Sequence, residues 1–115
     1  MKFKIEKNVR IISDLIAYCY RMGGGDYHIE MKLNKNVSVF YISVAVPKLT
    51  QEDLKSLEET LRAPRQHEME QNYWAISGDS DGDLELSLVG MMIDDAKIDF
   101  TDGVLTIMAR REEGR

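Results

Sequence analysis

The apolar residues of this chain change period several times, and each change marks an element. From Asn8 to Met22 they fall at helical spacing. Val9, Ile12, Ile16 and Cys19 lie along one face, with Ile11, Leu15, Tyr18 and Met22 beside them. This predicts a first helix with a broad apolar stripe. Gly23-Gly-Gly25 ends it, since glycine readily takes the left-handed conformation that closes a helix. Tyr27 to Leu33 then alternates, with Tyr27, Ile29, Met31 and Leu33 on one side and His28, Glu30 and Lys32 on the other. That is the period of a half-buried strand. After the polar turn Asn34-Lys-Asn36, Val37 to Val46 is rich in β-branched and aromatic residues, which suit a pleated surface. Val37, Val39, Tyr41, Ser43 and Ala45 share one face; Phe40, Ile42, Val44 and Val46 share the other. Both faces are largely apolar, so this is an interior strand, paired antiparallel with the one before it.

Pro47 cannot donate to a sheet ladder and ends the strand. Thr50, three residues before Asp53, is placed to cap a second helix whose Leu54, Leu57 and Leu61 share a face, and Pro64 stops it. Residues 63–81 read as an irregular segment, anchored by Tyr73 or Trp74. Asp83 to Asp94 reads as a third helix, with Leu84, Leu88, Met91 and Met92 on one side. Ala96 to Thr101 and Val104 to Arg110 form a hairpin about Asp102-Gly103, because both turn residues tolerate positive φ. Lys2 to Glu6 alternates like a short edge strand, and the charged residues Arg111 to Arg115 read as a frayed end. The expectation is one α+β domain over residues 1–115: a two-layer sandwich with a mixed, mostly antiparallel sheet and three helices on one face.

Charge and composition narrow the function. A formal net charge of −5, with the basic residues scattered, argues against a nucleic-acid partner. No stretch is long enough to span a bilayer and none resembles a signal peptide, so a cytoplasmic protein with no membrane partner is expected. The single cysteine, Cys19, permits no internal disulfide, and its place on the apolar side of a helix makes it core rather than nucleophile. The only histidines, His28 and His67, have no metal-ligand spacing. Asp79-Ser-Asp-Gly-Asp-Leu-Glu85 begins like a calcium loop, but Leu84 stands where the loop needs glycine and Gly90 where it needs glutamate. It reads as an acidic helix start, and no cofactor or metal is expected.

The order of elements, from Val9 to Arg110, resembles the ATP-binding domain of the histidine-kinase, gyrase and heat-shock-chaperone ATPases, the Bergerat fold. In that family the first helix carries an Asn that holds Mg²⁺, and Ile12-Ser-Asp-Leu-Ile-Ala-Tyr-Cys-Tyr-Arg21 looks like that helix with Tyr18 at the Asn position. The family's Asp-x-Gly-x-Gly follows a central strand; Ile42-Ser-Val-Ala-Val-Pro-Lys-Leu-Thr-Gln-Glu-Asp-Leu54 resembles its surroundings, with Val44 at the adenine-binding Asp and Val46 and Lys48 at the glycines. The glycine-rich phosphate motif is matched by Asp81-Gly-Asp-Leu-Glu-Leu86, where Asp81, Asp83 and Glu85 replace glycines. Residues 63–81 then fall at the family's ATP lid. Valine accepts no hydrogen bond, tyrosine is no compact carbonyl ligand, and carboxylates repel a polyphosphate. The resemblance therefore implies a scaffold that has lost its nucleotide-binding residues.

Three functions follow. The first is a non-catalytic regulatory or protein-interaction module that binds a partner or a second copy of itself. Its candidate surface is the sheet face left open by the helices, with Glu30, Lys32 and Phe40 or Ile42. The second is a small-molecule binder that reuses the old pocket, lined by Tyr18, Val44, Val46, Lys48, Asp83 and Glu85. The third is a divergent ATP-binding kinase.

Overall fold

The chain runs α1 (Lys4–Arg21), β1 (Gly25–Leu33), β2 (Val37–Ala45), α2 (Gln51–Leu61), β3 (Asp95–Thr101) and β4 (Val104–Glu112) in a computed structural model that describes residues 4–66, 86 and 89–113. The four strands form one sheet in the order β1-β2-β4-β3, with every neighbouring pair antiparallel. The expected α+β class is seen. Among the described residues the sheet is antiparallel rather than mixed, because both hairpins pair within themselves and join side by side through β2 and β4.

Among the described residues there are two helices, not the three expected. Of the predicted third helix, residues 83–85, 87 and 88 lie outside the described residues; Leu86, Val89 and Gly90 have helical backbone and are buried, whereas residues 91–94 are not helical as expected but turn into β3. The predicted anchors Tyr73 and Trp74, and the acidic run from Asp79 to Glu85, also lie outside them.

Local chemistry explains the boundaries. Gly23 takes φ +91° just beyond α1, and the Gly24 N–H donates to the Cys19 carbonyl at 2.8 Å. Thr50 Oγ1 accepts from the Asp53 N–H at 3.0 Å while the Asp53 carboxylate accepts from the Thr50 N–H at 3.2 Å, a reciprocal capping box. Asp102 and Gly103 have φ +53° and +78°, as the tight β3–β4 turn requires. Ile98 pairs with Ile107 across it, and Phe100 with Leu105.

Two expectations are corrected at the chain ends. Residues 4–6 are the first turn of α1, not part of an edge strand. The C-terminal residues are not frayed as far as Glu113. The alternation that buries Leu105, Ile107 and Ala109 continues through Arg111 and Glu113, which are 1% and 3% exposed, because β4 stays paired with β2 and the Glu113 N–H donates to the Asn36 carbonyl at 2.8 Å.

The core lies between the helices and one sheet face. Ile11, Leu15, Leu57 and Leu61 from the helices pack with Phe40, Ile42, Leu105 and Ile107 from the central strands. The inward face of α1 is rotated from the stripe's first reading: Val9 is half exposed, while Asn8 is fully buried.

Candidate functional site

Three places could carry function, and each is built by a different part of the fold.

The first is a cleft of about 320 Å³ between the helices. Tyr18 of α1 and Met22 just beyond it line the cleft with Asp53, Ser56, Leu57 and Thr60 of α2 and with Leu86. Of the six residues expected to form a remodelled pocket, Tyr18 lines this cleft. Val44 and Val46 are core side chains, 1% and 0% exposed, and Lys48 is exposed in the turn after β2. Asp83 and Glu85 lie outside the described residues. The end of α1 closes tightly over Val44. A Cβ added to Gly24 would lie 2.7 Å from the Cys19 carbonyl oxygen and 3.0 Å from both Val44 Cγ2 and the Tyr27 hydroxyl. The described lining of the cleft offers a carboxylate and hydroxyls but no cation, and the Asp53 carboxylate already caps α2. Beside it, burial pushes the Cys19 thiol up to about 11, which keeps it protonated and unreactive at neutral pH.

The second is a buried polar cluster where the end of β4 meets α1. Glu113 Oε2 accepts from Ser38 Oγ at 2.6 Å and from Asn8 Nδ2 at 2.9 Å. Arg111 Nε lies 3.3 Å from Glu113 Oε1, near enough for charge attraction, and Arg111 Nη1 donates to the Met92 carbonyl at 2.8 Å. Alongside, Arg65 Nη1 bridges the Asp94 carboxylate at 2.6 Å and the Glu112 carbonyl at 2.9 Å, while the Glu112 N–H donates to Asp94 at 2.6 Å. Burial alone would raise the Asp94 pKa, but the Glu112 N–H and the Arg65 guanidinium outweigh it and hold the carboxyl below its usual range. These bonds tie the terminal strand to α1, to the segment after α2 and to the segment before β3. Sequence reading missed them because charge at a chain end ordinarily means solvent; the unbroken alternation from Leu105 to Glu113 was the available signal.

The third is the open face of the sheet. Phe40 and Ile42, expected as candidates there, point into the core instead. Their strand neighbours Val39, Tyr41 and Ala45 face outward, as the two-residue period demands. With Val104 and Met108 of β4, 38% and 40% exposed, they make an apolar centre on the two central strands, interrupted by the Ser43–Thr106 pair and bordered by Arg110 opposite Val39. Polar and charged residues flank it: His28, Glu30 and Lys32 on edge strand β1, and Asp95, Lys97 and Asp99 on edge strand β3. Shallow depressions run along this face, one about Asp95, Lys97 and Arg110 and another about Glu30, Lys32 and Tyr41, with Val39 and Met108 common to both.

No protein-family model matches the chain, and no curated protein is significantly similar to it. Among the described residues no group of three or more His, Cys, Asp or Glu side chains could hold a metal ion. Nor is any described helix long and apolar enough to cross a membrane.

Proposed function

We propose that this chain is a non-catalytic protein-interaction module that works through the open face of its sheet. The observation that carries the reading is the apolar centre of Val39, Tyr41, Ala45, Val104 and Met108, broken by the Ser43–Thr106 pair and bordered by Arg110, set between two edge strands that carry charge. An apolar centre with a charged rim is the anatomy of a protein-binding surface. Burial of Val44 and Val46 supports the non-catalytic part. They stand where the resembled ATPases place an adenine-binding Asp and a glycine, and here they fill core volume.

The cleft at Tyr18 favours a second reading, a small-molecule binder. Its size suits a small ligand, but its described polar groups are hydroxyls and one engaged carboxylate. That set fits a neutral polar ligand better than a nucleotide. Divergent ATP binding ranks last.

Calorimetric titration with ATP and ADP, with and without Mg²⁺, tests the non-catalytic reading. No heat is expected under any condition. Binding tighter than about 1 mM, or roughly −4 kcal/mol, would overturn it.

A further inference from the structure

We infer that the partner of the open sheet face is a second copy of this chain, packed face to face about a two-fold axis that runs along the strands between β2 and β4. The inference rests on the interaction-module reading and adds its occupant and geometry.

The register carries the argument. Residues paired across the sheet lie in rows. One row is Glu30–Tyr41–Met108–Lys97, the next is Lys32–Val39–Arg110–Asp95, and a third is His28–Ser43–Thr106–Asp99. The two edge strands stand equally far from the line between β2 and β4. A two-fold axis along that line lays β1 of one copy over β3 of the other and keeps each row facing its own counterpart. Glu30 then meets Lys97 of the second copy, Lys32 meets Asp95, and His28 meets Asp99. Each of these contacts occurs twice by symmetry. In the same arrangement the Tyr41 ring covers Met108, a favourable sulfur–aromatic contact, and Ala45 covers Val104.

Facing sheets pack at about 30°, so edge residues of facing rows are offset by a few ångströms. The long side chains of Glu30, Lys32 and Lys97 span that offset. An axis across the strands at the level of Tyr41 would instead set Glu30 against Glu30 and Lys97 against Lys97, and like charges across an interface are costly. Strand spacing and rise give the face roughly 500 Å² in projection. A standard interface buries about 800 Å² per partner, so this face is at the small end and a weak, reversible dimer is expected.

Sedimentation equilibrium over about 1–500 µM tests this, with Glu30→Lys, Lys97→Glu and the double variant beside the wild type. Both exchanged positions are solvent-exposed edge charges, so folding is not at stake, and circular dichroism checks it. The wild type should dimerise, each single variant should weaken the dimer at least 10-fold, and the double variant should restore it. A wild type that stays monomeric, single variants without effect, or a double variant that stays weak would each overturn the arrangement. Nucleotide binding would overturn the functional reading and leave the dimer standing; a monomer would do the reverse.

Discussion

Gly90 packs closely on helix α2 from the segment before β3, and replacing it tests how that segment docks. A Cβ at Gly90 would lie 2.3 Å from the Thr60 carbonyl oxygen, 3.4 Å from the Thr60 carbonyl carbon and 3.6 Å from Leu61 Cα. A close carbon-to-oxygen approach is about 3.3 Å, so the two backbones must separate by about 1 Å. The obstacle is main chain, which cannot rotate aside as a side chain can. Overpacking of this kind costs about 3 kcal/mol, at the upper end of the usual range. Gly90 has helical backbone, and alanine returns up to about 1 kcal/mol of helix propensity there. The net expectation for Gly90→Ala is a loss of about 2 kcal/mol. For a chain of 115 residues that lowers Tm by about 8 °C, read by circular dichroism and checked by urea unfolding with an unchanged slope. Gly25→Ala is the control: no atom lies within 4 Å of its added Cβ, and its stability should stay within about 0.5 kcal/mol of wild type. A Gly90→Ala protein as stable as the wild type, or more so, would refute the close packing of Gly90 on Thr60.

Two further predictions concern the terminal strand. Glu113→Ala removes the acceptor shared by Ser38 and Asn8 and leaves the buried Arg111 without its carboxylate neighbour. Urea unfolding should show a loss of about 3 kcal/mol, whereas a change under about 0.5 kcal/mol would mean the end of β4 is not locked. Asp94 has a folded pKa below its unfolded value, so its contribution is present above the unfolded pKa of about 3.9 and is lost as pH falls through the lower folded value. The stability gap between wild type and Asp94→Asn should therefore be full at pH 7 and shrink below about pH 4; a gap that does not change with pH would contradict the pairing with Arg65.

Most elements were legible before any tertiary contact was considered, because their signals are local. Alternation fixed which residues of β1 and β2 share a face. The Thr50–Asp53 cap, the glycines after α1 and the Asp102-Gly103 turn act within four residues of themselves, and the structure bears each of them out. The candidate site was less legible. Tyr18 was found at a cleft, but Phe40 and Ile42 were offered for the open face although their own strand period sends them to the core with Val44. What needed the tertiary structure was every choice made by a distant partner. The broad stripe of α1 allowed several orientations, and only the Glu113 carboxylate, 105 residues away, explains why Asn8 turns inward while Val9 faces out. The same long-range pairing buries Arg111 and Glu113, whose charge alone argued for solvent. The charge rows of the open face also come from register, which is set by how the two hairpins join and not by the composition of any one strand. Local chemistry determines elements and turns because its energies act between neighbours, whereas facing, burial of charge and surface pattern arise from pairings that no single stretch of sequence contains.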